Sequence, residues 1–270
     1  LQKITADDTV TENRKLKDDY EVMAGQGTIG LEILSQLPTV DTVIVPVGGG
    51  GLLAGVATCI KQANPRARVV GAQAEGADAV VRSYREGHLT ESENVSTIAD
   101  GIAVKCPGDK TVELVMKYAD DMVTVSDNDI SAAILMLMER TKQIVEPSGA
   151  ASLAAVLSGH IDVKDRKAVC LLSGGNIDVS VIHRVVELGL VSRHRRLKFF
   201  VRLNDAPGSL MKLLQVVADS NANILTINHD RMCLSLTPSE ILVHIGCEVG
   251  GQHHADTLIE NLTAAGYSPT

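Results

Sequence analysis

The first 190 residues alternate between short apolar runs and longer segments in which apolar side chains recur at helical spacing. The runs predict buried strands over residues 43–47, 69–73, 122–125 and 168–172. The longer segments predict helices, the first capped by Thr28 and ending near residue 37, the others over residues 52–62, 78–86, 110–118, 127–143 (capped by Asp127), 147–157 and 179–188. This alternation predicts an α/β fold whose parallel sheet is covered by helices on both faces.

The pattern changes after Arg196. Residues 197–203, 223–229 and 240–247 predict strands, and residues 207–220 and 252–265 predict helices. This βαββα order predicts a small, separate α+β domain, with the boundary at residues 190–196. We therefore predict two domains, 1–192 and 197–270.

Charge and aromatic content narrow the range of binding partners. The chain has 33 acidic and 25 basic residues, a net charge of −8, and no basic stripe, which argues against nucleic acid. Aromatic residues make up 2% and tryptophan is absent, so base stacking is not expected. The most apolar stretch, residues 43–57, is shorter than the roughly 18 residues of a membrane span. The expected partners are small molecules.

Cysteine and histidine usage bears on compartment and metal binding. The five cysteines are scattered singly, which predicts reduced, buried thiols in a cytoplasmic protein. The eight histidines show no metal-ligand spacing, so no metal is predicted.

A run of four glycines is the strongest local candidate for a binding site. Gly48, Gly49, Gly50 and Gly51 lie between a predicted strand and the helix that begins near Leu52. Glycines let the backbone N–H groups converge on one point, and a helix N-terminus adds donors and partial positive charge. The run predicts a phosphate-binding loop; the alternative is a tight strand–helix connection. No nucleotide-binding glycine motif is present.

Three weaker candidates lie in other loops. Ser173 follows a predicted strand and precedes two glycines, so its hydroxyl either reaches a ligand or caps the next helix. Glu146 ends one helix and Ser148 is interpreted as a cap of the next. Asp100 and Gly101 form either part of a site or a plain turn.

The order of these motifs resembles a known family. The segments Ala-Gly-Gln-Gly-Thr at 24–28, the tetraglycine loop, Thr-Ile-Ala-Asp-Gly at 97–101, Glu-Pro-Ser-Gly-Ala at 146–150 and Ser-Gly-Gly-Asn at 173–176 occur in this sequence. Together they resemble the pyridoxal-phosphate enzymes of the threonine dehydratase and serine racemase family, which have the tryptophan-synthase-β-like fold. The tail, with Asn-Asp-Ala-Pro-Gly-Ser-Leu at 204–210 and Ala-Asn-Ile at 222–224, resembles an ACT-type amino-acid-sensing domain.

The resemblance implies a cofactor, a reaction and a set of site residues. Pyridoxal 5′-phosphate would serve β-elimination of L-threonine to 2-oxobutanoate and ammonia, a step of isoleucine biosynthesis, in a homo-oligomer. Its phosphate would bind Gly48 to Gly51 and Leu52, Ser173 would face the pyridine nitrogen, and Gly101 would lie near the ring. In the tail, the backbone at Asn204, Asp205, Ala206 and Gly208 would bind the carboxylate of an effector amino acid; the alternative is a domain that only dimerises.

The sequence also departs from the family. Neither the Ser-x-Lys-x-Arg-Gly motif with the Schiff-base lysine nor the Ser-x-Gly-Asn-x-x-Gln-Gly loop is found, so the catalytic residues stay unknown. Lys3, Lys15 and Lys17 are interpreted as surface residues. We expect the chain to correspond to the rear of the catalytic domain plus the regulatory domain.

The racemase branch has a metal triplet, and the matching positions here are Gln73, Ala77 and Ala79, which lack both carboxylates.

Two rivals to a threonine ammonia-lyase remain. One is a catalytically silent amino-acid-binding regulatory protein. The other is a serine dehydratase or racemase, against which the ACT-like tail and the broken triplet argue.

Overall fold

The computed structural model describes residues 18–232 and 236–270. The chain forms two compact units that divide between Gly189 and Leu190, at the near end of the predicted boundary interval. Within the described ranges, every helix is too short or too polar to cross a lipid bilayer. The predictions for the three early lysines and for Cys233 lie outside the described residues.

The first unit is built on a four-stranded parallel sheet of order β3-β2-β1-β4. Its strands are β1 Thr42–Pro46, β2 Arg68–Ala74, β3 Asp121–Val125 and β4 Ala168–Cys170. Its helices are α1 Tyr20–Gln36, α2 Gly51–Ala63, α3 Ala79–Glu86, α4 Asp109–Tyr118, α5 Asp127–Arg140, α6 Pro147–Leu157 and α7 Val179–Ser192. The predicted α/β fold with a parallel sheet is confirmed.

Helices cover both faces of this sheet, as the apolar runs predicted. Side chains of β1 alternate between two hydrophobic cores, because successive residues of a strand point to opposite faces. Val43 and Val45 pack into a core with α1 to α4, whereas Ile44 packs into a second core with α5, α6 and α7. Strand β1 is buried along its whole length.

Two predicted helix caps are wrong. Helix α1 begins eight residues before Thr28, and its N-cap is Asp19, whose carboxylate accepts a hydrogen bond from the Glu21 N–H at 2.8 Å. The cap of α5 is Ser126, which forms a capping box with Asp129, and not Asp127. Thr28 was predicted as the cap because threonine is a favoured N-cap residue, but it lies inside α1, as do Gly25 and Gly27.

Of these glycines, Gly27 is required because α1 packs closely on α2 at that position. A side chain at Gly55 of α2 would overlap the carbonyl oxygen of Met23, and a Cβ at Gly27 would lie 3.0 Å from the Gly55 carbonyl oxygen. The two backbones therefore touch, which only residues without a side chain permit. This tertiary contact outweighs the low helix propensity of glycine.

The second unit is a three-stranded antiparallel sheet of order β5-β7-β6. Its elements are β5 Arg196–Asn204, α8 Ser209–Asp219, β6 Asn223–Asp230, β7 Glu240–Glu248 and α9 Gln252–Ala264. Alternate residues of β5 and β7, among them Val201 and Val243, form its core with Leu213 of α8 and Leu258 of α9. The observed element order is the predicted βαββα.

Candidate active site

The loops that follow β1 and β4 meet at the carboxyl edge of the parallel sheet, where ligands bind in open α/β folds. A cavity of about 320 Å³ lies there. Its lining includes all the residues that the sequence analysis proposed for the cofactor, namely Gly48, Gly49, Gly50, Gly51, Leu52, Gly101 and Ser173. Residues far apart in the sequence thus line one cavity.

The tetraglycine loop needs glycine for conformation and for space. Gly50 is the N-cap of α2 and has φ +91°, a left-handed conformation that residues with a side chain rarely adopt. A Cβ at Gly48 would lie 3.0 Å from the Ile102 Cα. No side chain caps this end of α2. The helix start is therefore suited to a phosphate that accepts hydrogen bonds from backbone N–H groups.

The loop that carries Gly101 is held in place by hydrogen bonds to Asp127. Residues 100–102 form a short 3₁₀ turn, and the preceding segment is tied to Asp127. The Asp127 carboxylate accepts hydrogen bonds from the Thr97 hydroxyl at 2.6 Å and from the Ile98 N–H at 3.1 Å. Asp127 therefore positions this wall of the cavity instead of capping a helix.

Ser173 also lines this cavity and does not cap a helix. Helix α7 begins only at Val179, six residues later, which rules out the capping alternative. In the described part of the chain, the Ser173 hydroxyl has no hydrogen-bond partner. A side chain at Gly149 would overlap the Ser173 carbonyl oxygen, so α6 packs directly against this loop. The arrangement leaves the hydroxyl available to a ligand.

Six residues beyond those proposed for the cofactor also line the cavity, and two of them, Glu146 and Ser148, were weaker candidates from the sequence. The further lining residues are Val22, Gln26, Pro46, Ile102, Glu146 and Ser148. The interpretation of Ser148 as a cap is wrong, because Glu146 is the N-cap of α6 and no side-chain hydrogen bond caps it. The sequence signal for Glu146 and Ser148 was their place in one short motif, Glu-Pro-Ser-Gly-Ala at 146–150.

Glu146 is the acidic residue of this cavity. A side chain at Gly174, which has φ +84°, would overlap the Glu146 carboxylate. A second cavity, of about 610 Å³, also borders Gly101, Glu146 and Ser148 and adds Asp100 and Asp178. The carboxylates favour a positively charged group, such as an ammonium, on this side of the site.

The positions matched to the racemase metal triplet have other roles. Gln73 is completely buried, Ala77 lies in a short 3₁₀ turn, and Ala79 begins α3. Among residues 18–232 and 236–270, no cluster of three His, Cys, Asp or Glu side chains is arranged to hold a metal ion.

The cysteines are less buried than predicted. Of the four in the described ranges, Cys59, Cys106 and Cys170 are only half-buried, and Cys247 is buried. Burial raises the pKa of the Cys170 and Cys247 thiols to about 11. Because the thiolate is the nucleophile, neither is reactive at neutral pH.

In the proposed effector loop of the second unit, two of the backbone N–H groups already donate hydrogen bonds within the protein. The Asp205 N–H donates to the Ser239 carbonyl and the Ala206 N–H to the Asn204 carbonyl, both at 2.8 Å. The Asp205 carboxylate accepts two hydrogen bonds from Arg231, each 2.9 Å long, which lower the pKa of Asp205. Gly208, with φ +87°, caps α8. Effector binding at this loop stays a prediction.

The chain is similar to known proteins along most of its length. The family model described as "Pyridoxal-phosphate dependent enzyme" matches residues 5–174. An L-threonine ammonia-lyase of Thermotoga maritima is 44% identical over 250 residues, 93% of this chain and 62% of that protein. A catabolic L-threonine dehydratase of Staphylococcus aureus is 50% identical over 176 residues, 64% of this chain and 51% of that protein. The processed threonine deaminase isoform 2 of Solanum lycopersicum is 42% identical with a TM-score of 0.60, covering 63% of this chain and 50% of that one.

These overlaps differ in extent. The chain spans 62% of the length of the T. maritima protein and about half that of the S. aureus protein. The alignment with the T. maritima protein is longer than the first unit and therefore extends into the second. The family match covers every residue proposed for the cofactor phosphate and ring.

Proposed function

The chain belongs to the family of pyridoxal-phosphate dependent enzymes, and on this basis we propose that it acts in the deamination of L-threonine to 2-oxobutanoate and ammonia by β-elimination. The observation that carries the proposal is the convergence of the tetraglycine loop, Gly101 and Ser173 on one cavity. Relatives named threonine ammonia-lyase or threonine dehydratase, at 44% and 50% identity, support the choice of substrate.

The residues of the cavity suit this chemistry. Bound pyridoxal phosphate supplies an electron sink for the negative charge that develops at the substrate Cα. The N–H groups of the glycine loop bind an anion at the start of α2. The Ser173 hydroxyl offers one neutral hydrogen bond and does not hold a ring nitrogen protonated, as a carboxylate would. Loss of a β-hydroxyl needs less charge storage than transamination, so a neutral partner is sufficient.

Replacing Ser173 with alanine is expected to lower cofactor affinity about three- to tenfold, the usual effect of losing one neutral hydrogen bond. Turnover of L-threonine should fall as well. The control is Ser158→Ala, since Ser158 lies exposed at the end of α6 and its hydroxyl bonds only within that helix. Equal affinities for the two variants, measured by equilibrium dialysis, would remove Ser173 from the site.

The activity is tested with the purified protein, added pyridoxal phosphate and L-threonine. We expect 2-oxobutanoate and ammonia in equal amounts, with no release when either addition is omitted. Because the Schiff-base motif is not found in these residues, borohydride reduction of the loaded protein, with intact-mass measurement and peptide mapping, would identify the modified lysine.

Two results would redirect the proposal. Pyridoxal phosphate binding without release of a keto acid would contradict deamination and favour the amino-acid-binding regulatory protein. Faster release of pyruvate from L-serine would favour a serine dehydratase.

We propose that the second unit is an ACT-like domain that senses an amino acid. Its βαββα order supports this. Isoleucine or valine is expected to raise the thermal unfolding temperature of this unit, because a ligand that binds only the folded state stabilises it. Unchanged melting curves across a titration of both would argue against sensing.

Assembly and location are proposed on separate grounds. Leu225 and Ile227 of β6 are large apolar side chains that stay exposed in the single chain, which supports a homo-oligomer. The free thiols of Cys59, Cys170 and Cys247 support a cytoplasmic protein.

A further inference from the structure

Gln73 is a buried polar residue beneath the tetraglycine loop. It lies in β2, has no exposed surface, and does not line the cavity. Its side-chain amide nitrogen donates to the Gly48 carbonyl at 3.0 Å, and its amide oxygen accepts from the Val81 N–H at 2.9 Å. One side chain therefore links the glycine loop to the first turn of α3.

The bond to Val81 supplies a cap that α3 otherwise lacks. Asp78 precedes this helix but makes no side-chain capping bond. A donor at the first turn of a helix has no partner within the helix, so the Gln73 oxygen satisfies one such group. The side chain is thus held at one end by α3, which fixes the direction of the amide donor at the other end.

The bond to Gly48 sets the orientation of a peptide plane in the loop. In a trans peptide, the carbonyl of one residue and the N–H of the next point in opposite directions. The Gly48 carbonyl points into the interior, toward Gln73. The Gly49 N–H consequently points away from Gln73, and Gly49 is a lining residue of the cavity. Glycine has no side chain that would otherwise restrict this plane.

We infer that Gln73 is a positioning residue that orients the Gly49 N–H toward a phosphate in the cavity. The inference rests on the proposed cofactor site and adds a residue that neither touches the ligand nor lines its cavity. It assigns a role in phosphate binding to the side chain that stands where the racemase branch has a metal-binding carboxylate.

The test compares pyridoxine 5′-phosphate with pyridoxine in equilibrium dialysis. Neither probe has an aldehyde, so neither reacts with surface lysines. Replacing Gln73 with leucine removes both hydrogen bonds at similar volume. We expect affinity for pyridoxine 5′-phosphate to fall by about tenfold while that for pyridoxine changes by less than about twofold, since only the phosphate meets the loop.

In the Gln73→Glu variant, the affinity for pyridoxine 5′-phosphate should depend on pH. Burial raises the pKa of a carboxyl group. Below that pKa, the introduced carboxyl group is neutral, donates its O–H to the Gly48 carbonyl and accepts from the Val81 N–H. The affinity for pyridoxine 5′-phosphate should then match that of the unsubstituted protein. Above it, the ionised group has no donor and repels the Gly48 carbonyl. The affinity for pyridoxine 5′-phosphate, relative to the unsubstituted protein at the same pH, should therefore fall as pH rises.

Thr42→Val is the matched control. Thr42 is completely buried at the amino end of β1, and its hydroxyl has no partner in the described part of the chain. Its replacement should leave both affinities unchanged. Circular dichroism tests whether each variant folds. If Gln73→Leu does not fold, the pH dependence of the phosphate-ester affinity in Gln73→Glu decides whether Gln73 has the positioning role.

The outcomes separate this inference from the proposed function. If the unsubstituted protein binds both probes equally, the proposed phosphate site is wrong. If it prefers the phosphate ester and the Gln73 variants keep that preference at every pH, Gln73 has no positioning role and the proposed site stands.

Discussion

Replacement of Gly55 with alanine is expected to lower the free energy of unfolding by about 3 kcal/mol or more, at the upper end of what overpacking costs. The added methyl group would overlap the carbonyl oxygen of Met23, which belongs to the backbone of α1. A backbone atom inside a helix cannot rotate away, so α1 and α2 must separate. Met23 and Leu53 belong to the core beside this crossing and would lose contacts.

The matched control is Gly25→Ala, since Gly25 also lies inside a helix, α1, but a Cβ there meets no atom within 4 Å. This variant should gain about 0.5–1 kcal/mol, because alanine has the higher helix propensity. Urea unfolding followed by circular dichroism measures both changes. Losses of similar size at the two positions would show that helix propensity, and not the helix crossing, governs Gly55.

Replacement of Gly50 with alanine is expected to lower affinity for pyridoxine 5′-phosphate by more than about tenfold, as the loss of more than one hydrogen bond would. Two effects combine there. The φ of +91° is unfavourable for alanine, and a Cβ would lie 2.8 Å from the Thr111 Cγ2 atom. The loop must move to relieve both, which displaces the N–H groups at the start of α2.

Gly87→Ala separates these effects. Gly87 also has a positive φ, +74°, but a Cβ there meets no atom within 4 Å, and Gly87 does not line the cavity. Both variants should lose about 1–2 kcal/mol of stability from the left-handed conformation. Only Gly50→Ala should lose phosphate-ester affinity in equilibrium dialysis. An unchanged affinity in that variant would show that the glycine loop does not hold the phosphate.

Local pattern was sufficient for most of the fold. Helix α6 begins and ends at its predicted residues, and every predicted strand has an observed counterpart. Burial of one helix face leaves a helical period in the sequence, and burial of a whole strand leaves a continuous apolar run. The start of α1 was not predictable in this way. Thr28 has the residue type of an N-cap, and the contact with α2 that accommodates Gly27 inside the helix is not visible in the local sequence.

The candidate site was predictable only in part. The tetraglycine loop stands out because four glycines have a conformational cost that a plain turn does not require. Glu146 and Ser148 were interpreted as helix-end residues, since a polar side chain at a helix start looks the same in sequence whether it caps the helix or faces a cavity. The structure distinguishes the two because no side chain caps α6.

The sequence by itself determined the alternation of strands and helices, the separate βαββα tail and the glycine loop, because each depends on residues close together in the chain. The tertiary structure decided that Glu146 lines the same cavity as the glycine loop, Gly101 and Ser173, which the sequence brought together only through the family resemblance. It also decided that Gln73 holds the Gly48 carbonyl. These contacts join distant segments, and they arise from the parallel pairing of β1 with its neighbours, which brings the strand ends to one edge.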